Sequence, residues 1–202
     1  TPQGVIMFYA VNLMGAVSNM VHPLSAEGEI EFFINISKSK AILVLDAFYP
    51  KVRSIRKKTP SLEHVIVASI ATELPAITKI GFKITKGRKI PKIPSGDDFV
   101  SWTEFMSSGE RYIEEYIAHS GADDPASILY SGGTSGKTKG IVLSNLNFNA
   151  LAMQTGAASE TIAPGQKMLA IMPMFHGFGL GVGILSMFQG GCCCDVVPQF
   201  SV

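Results

Sequence analysis

The sequence predicts an α/β fold of layered, largely parallel sheets flanked by helices, and three observations carry that prediction. Short continuous apolar runs, AILVLD at 41–46, HVIVAS at 64–69 and ASILY at 126–130, read as strands, the first of them as a parallel strand buried on both faces. Helix-patterned segments stand between them throughout, and strands that alternate with helices imply crossover connections and parallel pairing. Apolar residues make up 47% and charged residues 16% of the 202 positions. That is less charge than a self-contained domain usually carries, as expected of a piece whose surface is covered by something larger. A net charge of +1 gives no nucleic-acid footprint. No internal repeat is visible.

Thr1 and Pro2 suit an N-cap and first helical position, and predict an apolar helix to about Met20. After the His22-Pro23 turn, Ser25 is placed to cap a second helix. Its stripe is Ile30, Phe33 and Ile34, with Glu27, Glu29 and Glu31 toward water. AILVLD is the first buried strand, and Asp46 at its end reads as a turn or cap residue, with ligand contact as the alternative. Residues 49–58 make a helix with a solvated basic face of Lys51, Arg53, Arg56, Lys57 and Lys58.

HVIVAS is the second strand. Residues 78–98 turn rich in Lys, Gly and Pro, with Lys83, Lys86, Arg88, Lys89 and Lys92, and read as a basic connector; contact with a partner or phosphate is the alternative. Trp102 to His119 reads as a helix broken near Gly109, with Trp102, Phe105, Tyr112 and Tyr116 as core aromatics. The strands ASILY and GIVLS follow, then a helix capped by Ser144, a Pro164-Gly165 turn, the strand MLAIM, a glycine-rich helical segment from Gly177 to Gln189, and a last strand in CCCDVV.

Residues 168–188 are long and apolar enough to resemble a membrane span. Pro173, His176 and four glycines interrupt them and point to strand, loop and helix in succession. Cys192, Cys193 and Cys194 are adjacent, which suits neither a disulfide framework nor a tetrahedral metal site, and they read as packing residues of a reduced, cytoplasmic protein. No secretory leader pattern is visible. The chain begins TPQGVIMF without a methionine and reads as part of a longer protein.

YSGGTSGKTKGI, 130–141, concentrates anion-binding chemistry as no other stretch does. Gly132, Gly133 and Gly136 free the backbone to converge several N–H groups on one anion. Ser131, Thr134, Ser135 and Thr138 add hydroxyls, and Lys137 and Lys139 add charge. Two other readings compete: a soluble surface loop, and a Walker A loop matched by Gly136, Lys137 and Thr138 but failing at Ser131, where its first glycine should stand. A Walker loop also enters a helix at once, whereas Ile141, Val142 and Leu143 are β-type. The loop therefore reads as flanked by strands.

The run SILYSGGTSGKTKGIVLS resembles the signature of adenylate-forming acyl- and aryl-CoA ligases, Y-S-S-G-T-T-G-x-P-K-G-V, and the 4-coumarate-CoA ligase-like members among them. Tyr130, Ser131, Gly133, Thr134, Gly136, Lys139 and Gly140 match; Gly132, Ser135 and Thr138 replace a serine, a threonine and the usual proline. A second family motif, P-[ML]-F-H-x-x-G-L, is matched by Pro173, Met174, Phe175, His176, Gly179 and Leu180. The resemblance covers the whole chain but only the middle of the family's large N-terminal (AMP-binding) domain, 1–202 here; the mobile C-terminal domain with its catalytic lysine is absent.

The resemblance implies an ATP-dependent acid–thiol ligase that activates a carboxylate as acyl-AMP and transfers it to coenzyme A, with Mg²⁺ brought by the nucleotide. It implies phosphate binding by Ser131, Gly132, Gly133, Thr134, Ser135, Gly136 and Lys139, and an acyl pocket that includes His176 and Phe178. Lys137, at the variable motif position, is left between phosphate contact and solvent. No aspartate stands between Met172 and Phe188 to pair with a substrate ammonium, which favours an uncharged acyl or aryl tail. Gln199 stands where some relatives carry a lysine near coenzyme A. No catalytic residue and no metal ligand is expected within these 202 residues, so the chain alone is expected to be inactive. A Walker-type nucleotide hydrolase and a non-catalytic interaction module stay open as alternatives.

Overall fold

The computed structural model describes residues 1–94, 97–112, 116–132 and 138–197. They belong to two compact units, Thr1–Val21 with Tyr116–Val202, and His22–Glu115. No helix among the described residues is long and apolar enough to cross a membrane.

The first unit opens with α1 (Pro2–Leu13) and β1 (Ser18–Met20). The helix expected to reach Met20 ends at Leu13, seven residues earlier, because Gly15 turns left-handed (φ +71°), so Ala16 N–H bonds back to Val11 O at 3.0 Å. Residues 18–20 are thereby released to pair with a strand. Val5 and Phe8 of α1 are buried, but Ile6 and Leu13 are exposed, so its burial is one-sided.

The second unit holds α2 (Glu27–Ser37), β2 (Ala41–Leu45), α3 (Tyr49–Ile55), β3 (His64–Ala68), α4 (Ala76–Ile84), β4 (Val100–Ser101) and α5 (Trp102–Gly109). Its sheet runs β2-β3-β4, parallel throughout. The predicted α2 stripe is the core face, with Ile30, Phe33 and Ile34 buried against water-facing Glu27 and Glu29. Burying such side chains contributes roughly 1.5–3 kcal/mol each.

The cap is Ala26 rather than Ser25, because the Glu29 carboxylate reaches back to the Ala26 N–H at 3.1 Å. AILVL was expected to be buried on both faces, yet only β3 is; β2 lies at the sheet edge and is half-exposed. Asp46 serves its turn, its carboxylate accepting the Ala47 N–H at 2.8 Å.

Within 78–98, α4 runs to Ile84 and a 3₁₀ turn follows over Lys86–Lys89. The helix expected from Trp102 to His119 with a break near Gly109 does end at Gly109, after two serines of weak helix propensity, and residues 116–119 do not resume it. Of its four aromatics only Trp102 is core; Phe105, Tyr112 and Tyr116 are exposed.

The chain then rejoins the first unit with β5 (Pro125–Gly132), β6 (Thr138–Ser144), α6 (Asn145–Ala157), β7 (Lys167–Ala170), α7 (Gly177–Leu180), α8 (Met187–Gln189) and β8 (Cys193–Val196). One sheet runs β1-β5-β6, and β7 pairs with β8. Four of the five strand pairs among the described residues are parallel, the β5–β6 hairpin being the exception. Ser144 caps α6 as predicted, accepting the Asn147 N–H.

Gly177 to Gln189 is helical from end to end, with a wide π turn at Gly181–Ser186 where the buried Ser186 hydroxyl donates to Gly181 O at 2.9 Å. Cys192 is buried and Cys194 half-buried, and their thiols face the carbonyls of Ala163 and Gly183; Cys193 is exposed.

Candidate functional site

The signature loop is the mouth of a hairpin. β5 and β6 pair antiparallel with Tyr130 opposite Gly140, Ser131 opposite Lys139 and Gly132 opposite Thr138. Both strands carry the chain straight into and out of residues 133–137. The predicted phosphate ligands Gly133, Thr134, Ser135 and Gly136, with Lys137, lie outside the described residues, as does Gln199. β6 continues as strand to Ser144, so the loop does not open a helix and the Walker A reading loses its structural premise.

Strand periodicity sorts the motif into two faces. Tyr130 and Gly140 share one: a Cβ at Gly140 would stand 3.2 Å from both the Tyr130 ring and Ile128 Cγ2, so the absent side chain lets the ring lie across the neighbouring strand. Tyr130 is tied to Asn19 by a side-chain hydrogen bond; burial pushes its phenol up, and that bond opposes the shift.

The other face carries Leu129, Ser131, Lys139 and Leu143. Leu129 belongs to the core with Phe8, Phe148 and Leu180, and Leu143 and Met174 pack against it. At the end of that face Ser131 and Lys139 are exposed, and Lys139 forms no ion pair with a described residue. An ammonium in that setting is available to an anion.

The second motif is built by a tight turn. His176 N–H bonds to Pro173 O at 3.0 Å, and a Cβ at Gly179 would lie 2.1 Å from that same Pro173 oxygen. Only glycine permits the helix to fold back so closely on the turn. His176 is the N-cap of α7, its Nδ1 accepting the Phe178 N–H at 3.2 Å. Nδ1 therefore offers a lone pair, and the neutral ring carries its proton on Nε2 as an outward donor. His176 and Phe178 are both exposed, Phe178 to 52%.

The two motifs meet. A Cβ at Gly177 would touch Leu129 Cδ1 at 3.5 Å, so the start of α7 rests on the hairpin face that ends in Ser131 and Lys139. Leu129 and Gly177 escaped the sequence reading as site-building residues. The usable signal was register: in a hairpin closing at Gly132 and Thr138, paired positions have a constant index sum, which sets Leu129 and Lys139 on one face.

An open groove of about 480 Å³ between α1, α6 and α8, with Tyr9, Phe148, Leu185 and Phe188 among its lining residues, takes in none of the predicted site residues. No group of three or more His, Cys, Asp or Glu residues is gathered for a metal among the described residues.

A family model described as "AMP-binding enzyme" matches residues 1–202. The chain is 29% identical over 204 residues to a long-chain-fatty-acid–CoA ligase of Bacillus subtilis, covering 98% of this chain and 36% of that protein. It is 26% identical over 202 residues to a probable 4-coumarate–CoA ligase of Dictyostelium discoideum, covering 98% and 34%. Among solved structures, the anthranilate CoA ligase AuaEII in complex with anthranoyl-AMP superposes with a TM-score of 0.80 at 21% identity, covering 99% of this chain and 34% of that one. ATP-bound MatB from Rhodopseudomonas palustris gives 0.72 at 18% identity, covering 100% and 34%. The solved structures share the fold. The chain spans about a third of the length of the relatives it matches.

Proposed function

The chain belongs to the AMP-binding enzyme family, and we propose that the protein carrying it is an ATP-dependent acid–CoA ligase, of which residues 1–202 are part of the N-terminal domain. It joins a carboxylate to ATP as acyl-AMP with release of pyrophosphate, then passes the acyl group to the thiol of coenzyme A. The observation that carries this reading is the placement of Ser131 and Lys139 at the open end of the hairpin face on which the His176–Gly177 turn rests.

The reaction brings a carboxylate against a polyphosphate, both negative, so charge must be neutralised as the pyrophosphate leaves. The Lys139 ammonium and Ser131 hydroxyl, with the N–H groups and hydroxyls of Gly132, Gly133, Thr134, Ser135 and Gly136, would hold the β- and γ-phosphates. His176 would offer its Nε2–H to a carboxyl oxygen, and Phe178 would form an apolar wall. No base is required of His176, because a carboxylic acid is already ionised near neutral pH.

The described residues gather no metal ligands; Mg²⁺ would come with the nucleotide, held by its phosphates, and would supply further charge neutralisation there. The missing aspartate near His176 supports an acid with an uncharged tail, the kind named in both the fatty-acid and the 4-coumarate relatives. A requirement for ATP and coenzyme A favours a cytoplasmic setting. The isolated chain, a third of its relatives' length, is not expected to turn over.

The test is a product assay on the full-length protein with ATP, Mg²⁺, coenzyme A and a panel of fatty and aromatic acids. Acid-dependent AMP and pyrophosphate are expected. ADP and phosphate formed without an acid would overturn the reading, and so would indifference to every acid and to ATP.

A further inference from the structure

The helix α4 carries three isoleucines that its own unit does not cover. Ile77, Ile80 and Ile84 are 87%, 61% and 55% exposed. Their i, i+3, i+7 spacing gathers them in one stripe, where exposed apolar residues are ordinarily scattered. Gly81 lies in the same stripe, and a Cβ added there would meet nothing within 4 Å. Between Ala76 and Pro94 the sequence holds six basic residues and no acidic one. Of these, Lys79, Arg88, Lys89 and Lys92 form no ion pair with a described residue.

We propose that α4 and the 3₁₀ turn after it form an interfacial patch that docks the protein on an anionic lipid bilayer. The boundary between anionic headgroups and acyl chains takes a basic segment and a stripe of bare isoleucines at once. Nine residues span only about 13 Å, too short to cross a bilayer but sufficient to lie in its surface with one face immersed. Binding of this kind is lost at high salt, since the basic residues act through a screened field.

The experiment is co-sedimentation of the full-length protein with phosphatidylcholine vesicles, with and without phosphatidylglycerol. Sedimentation with the anionic vesicles, weakened by salt, is expected. The variant Ile77→Ser/Ile80→Ser/Ile84→Ser should lower partitioning by at least about tenfold, and Arg88→Gln/Lys89→Gln by about fivefold per charge. Circular dichroism and thermal unfolding should not change, because the substituted side chains are exposed.

Three results would overturn the proposal: wild type left in the supernatant with anionic vesicles, an isoleucine variant that sediments like wild type, or concentration-dependent self-association that the isoleucine variant abolishes. The last would assign the stripe to a second copy of the chain. No turnover is measured, so the outcome is independent of the ligase reading.

Discussion

Ser131 and Lys139 stand directly opposite one another across the β5–β6 ladder, one pair before the hairpin opens into residues 133–137. Their side chains share the face that further back is closed by Leu129 and Leu143, so a hydroxyl and an ammonium project from the rim of a packed core. The paired strands behind them hold the two groups in place.

Replacing Lys139 by Ala in the full-length protein should therefore slow acid-dependent pyrophosphate release by about 10²- to 10³-fold, the usual loss when one preorganised charge-stabilising donor is removed. Lys139→Arg should recover part of it. Stability should hold, because the side chain is exposed and pairs with no described residue. Unchanged turnover in Lys139→Ala would remove this residue from the phosphate site.

Much of this was legible in the sequence because the strands are short, apolar and bounded by turn residues. The strand-flanked loop, the Ser144 cap and the Ile30-Phe33-Ile34 stripe are all local signals, and all appear in the fold. What stayed illegible depends on partners far along the chain. Residues 18–20 carry helix-compatible letters, and only the waiting edge of β5, more than a hundred positions later, makes them a strand. The aromatics beyond Gly109 look like core residues by type, yet burial is decided by which elements cover them. The contact between Gly177 and Leu129 joins two motifs whose spacing alone says nothing of their meeting.

His176 holds two roles that substitution can separate. As N-cap it satisfies the Phe178 N–H through Nδ1, and as a proposed substrate contact it uses Nε2. His176→Asn keeps a side-chain acceptor for the cap, but its amide N–H stops short of the position held by Nε2, so KM for the acid should rise while the unfolding midpoint stays near wild type. His176→Ala loses both and should also cost about 1 kcal/mol of stability. Equal KM values in all three proteins would confine His176 to capping.

Two glycines of the same helix should respond to very different degrees. A Cβ at Gly179 would stand 2.1 Å from the Pro173 oxygen and 2.6 Å from its carbonyl carbon, an overlap with backbone that no rotamer relieves. Gly179→Ala should cost at least about 3 kcal/mol and lower soluble yield. At Gly177 the nearest atom is Leu129 Cδ1 at 3.5 Å, an ordinary contact, and Gly177→Ala should cost less than about 1 kcal/mol. Urea unfolding of the two variants side by side checks the pair; similar losses would show that the turn is not set by the Pro173 contact.

In the second unit Tyr49 donates to Asp97 Oδ2 at 3.0 Å, and the same oxygen receives Arg53 Nε at 2.8 Å. Burial first, then the hydrogen bond to the Asp97 carboxylate and its charge, push the phenol up to about 12, with Arg53 opposing. The fold thus favours the protonated phenol. Its contribution is complete below the ordinary tyrosine value near 10, and it drains away as pH rises from there through about 12.

Alkaline titration followed by phenolate absorbance, wild type minus Tyr49→Phe, should show this one tyrosine ionising later than the ordinary value. Across the same window the urea midpoint of wild type should fall more steeply than that of Tyr49→Phe, which has no phenol to lose. Parallel declines in the two proteins would mean that Asp97 holds its neighbours through Arg53 alone.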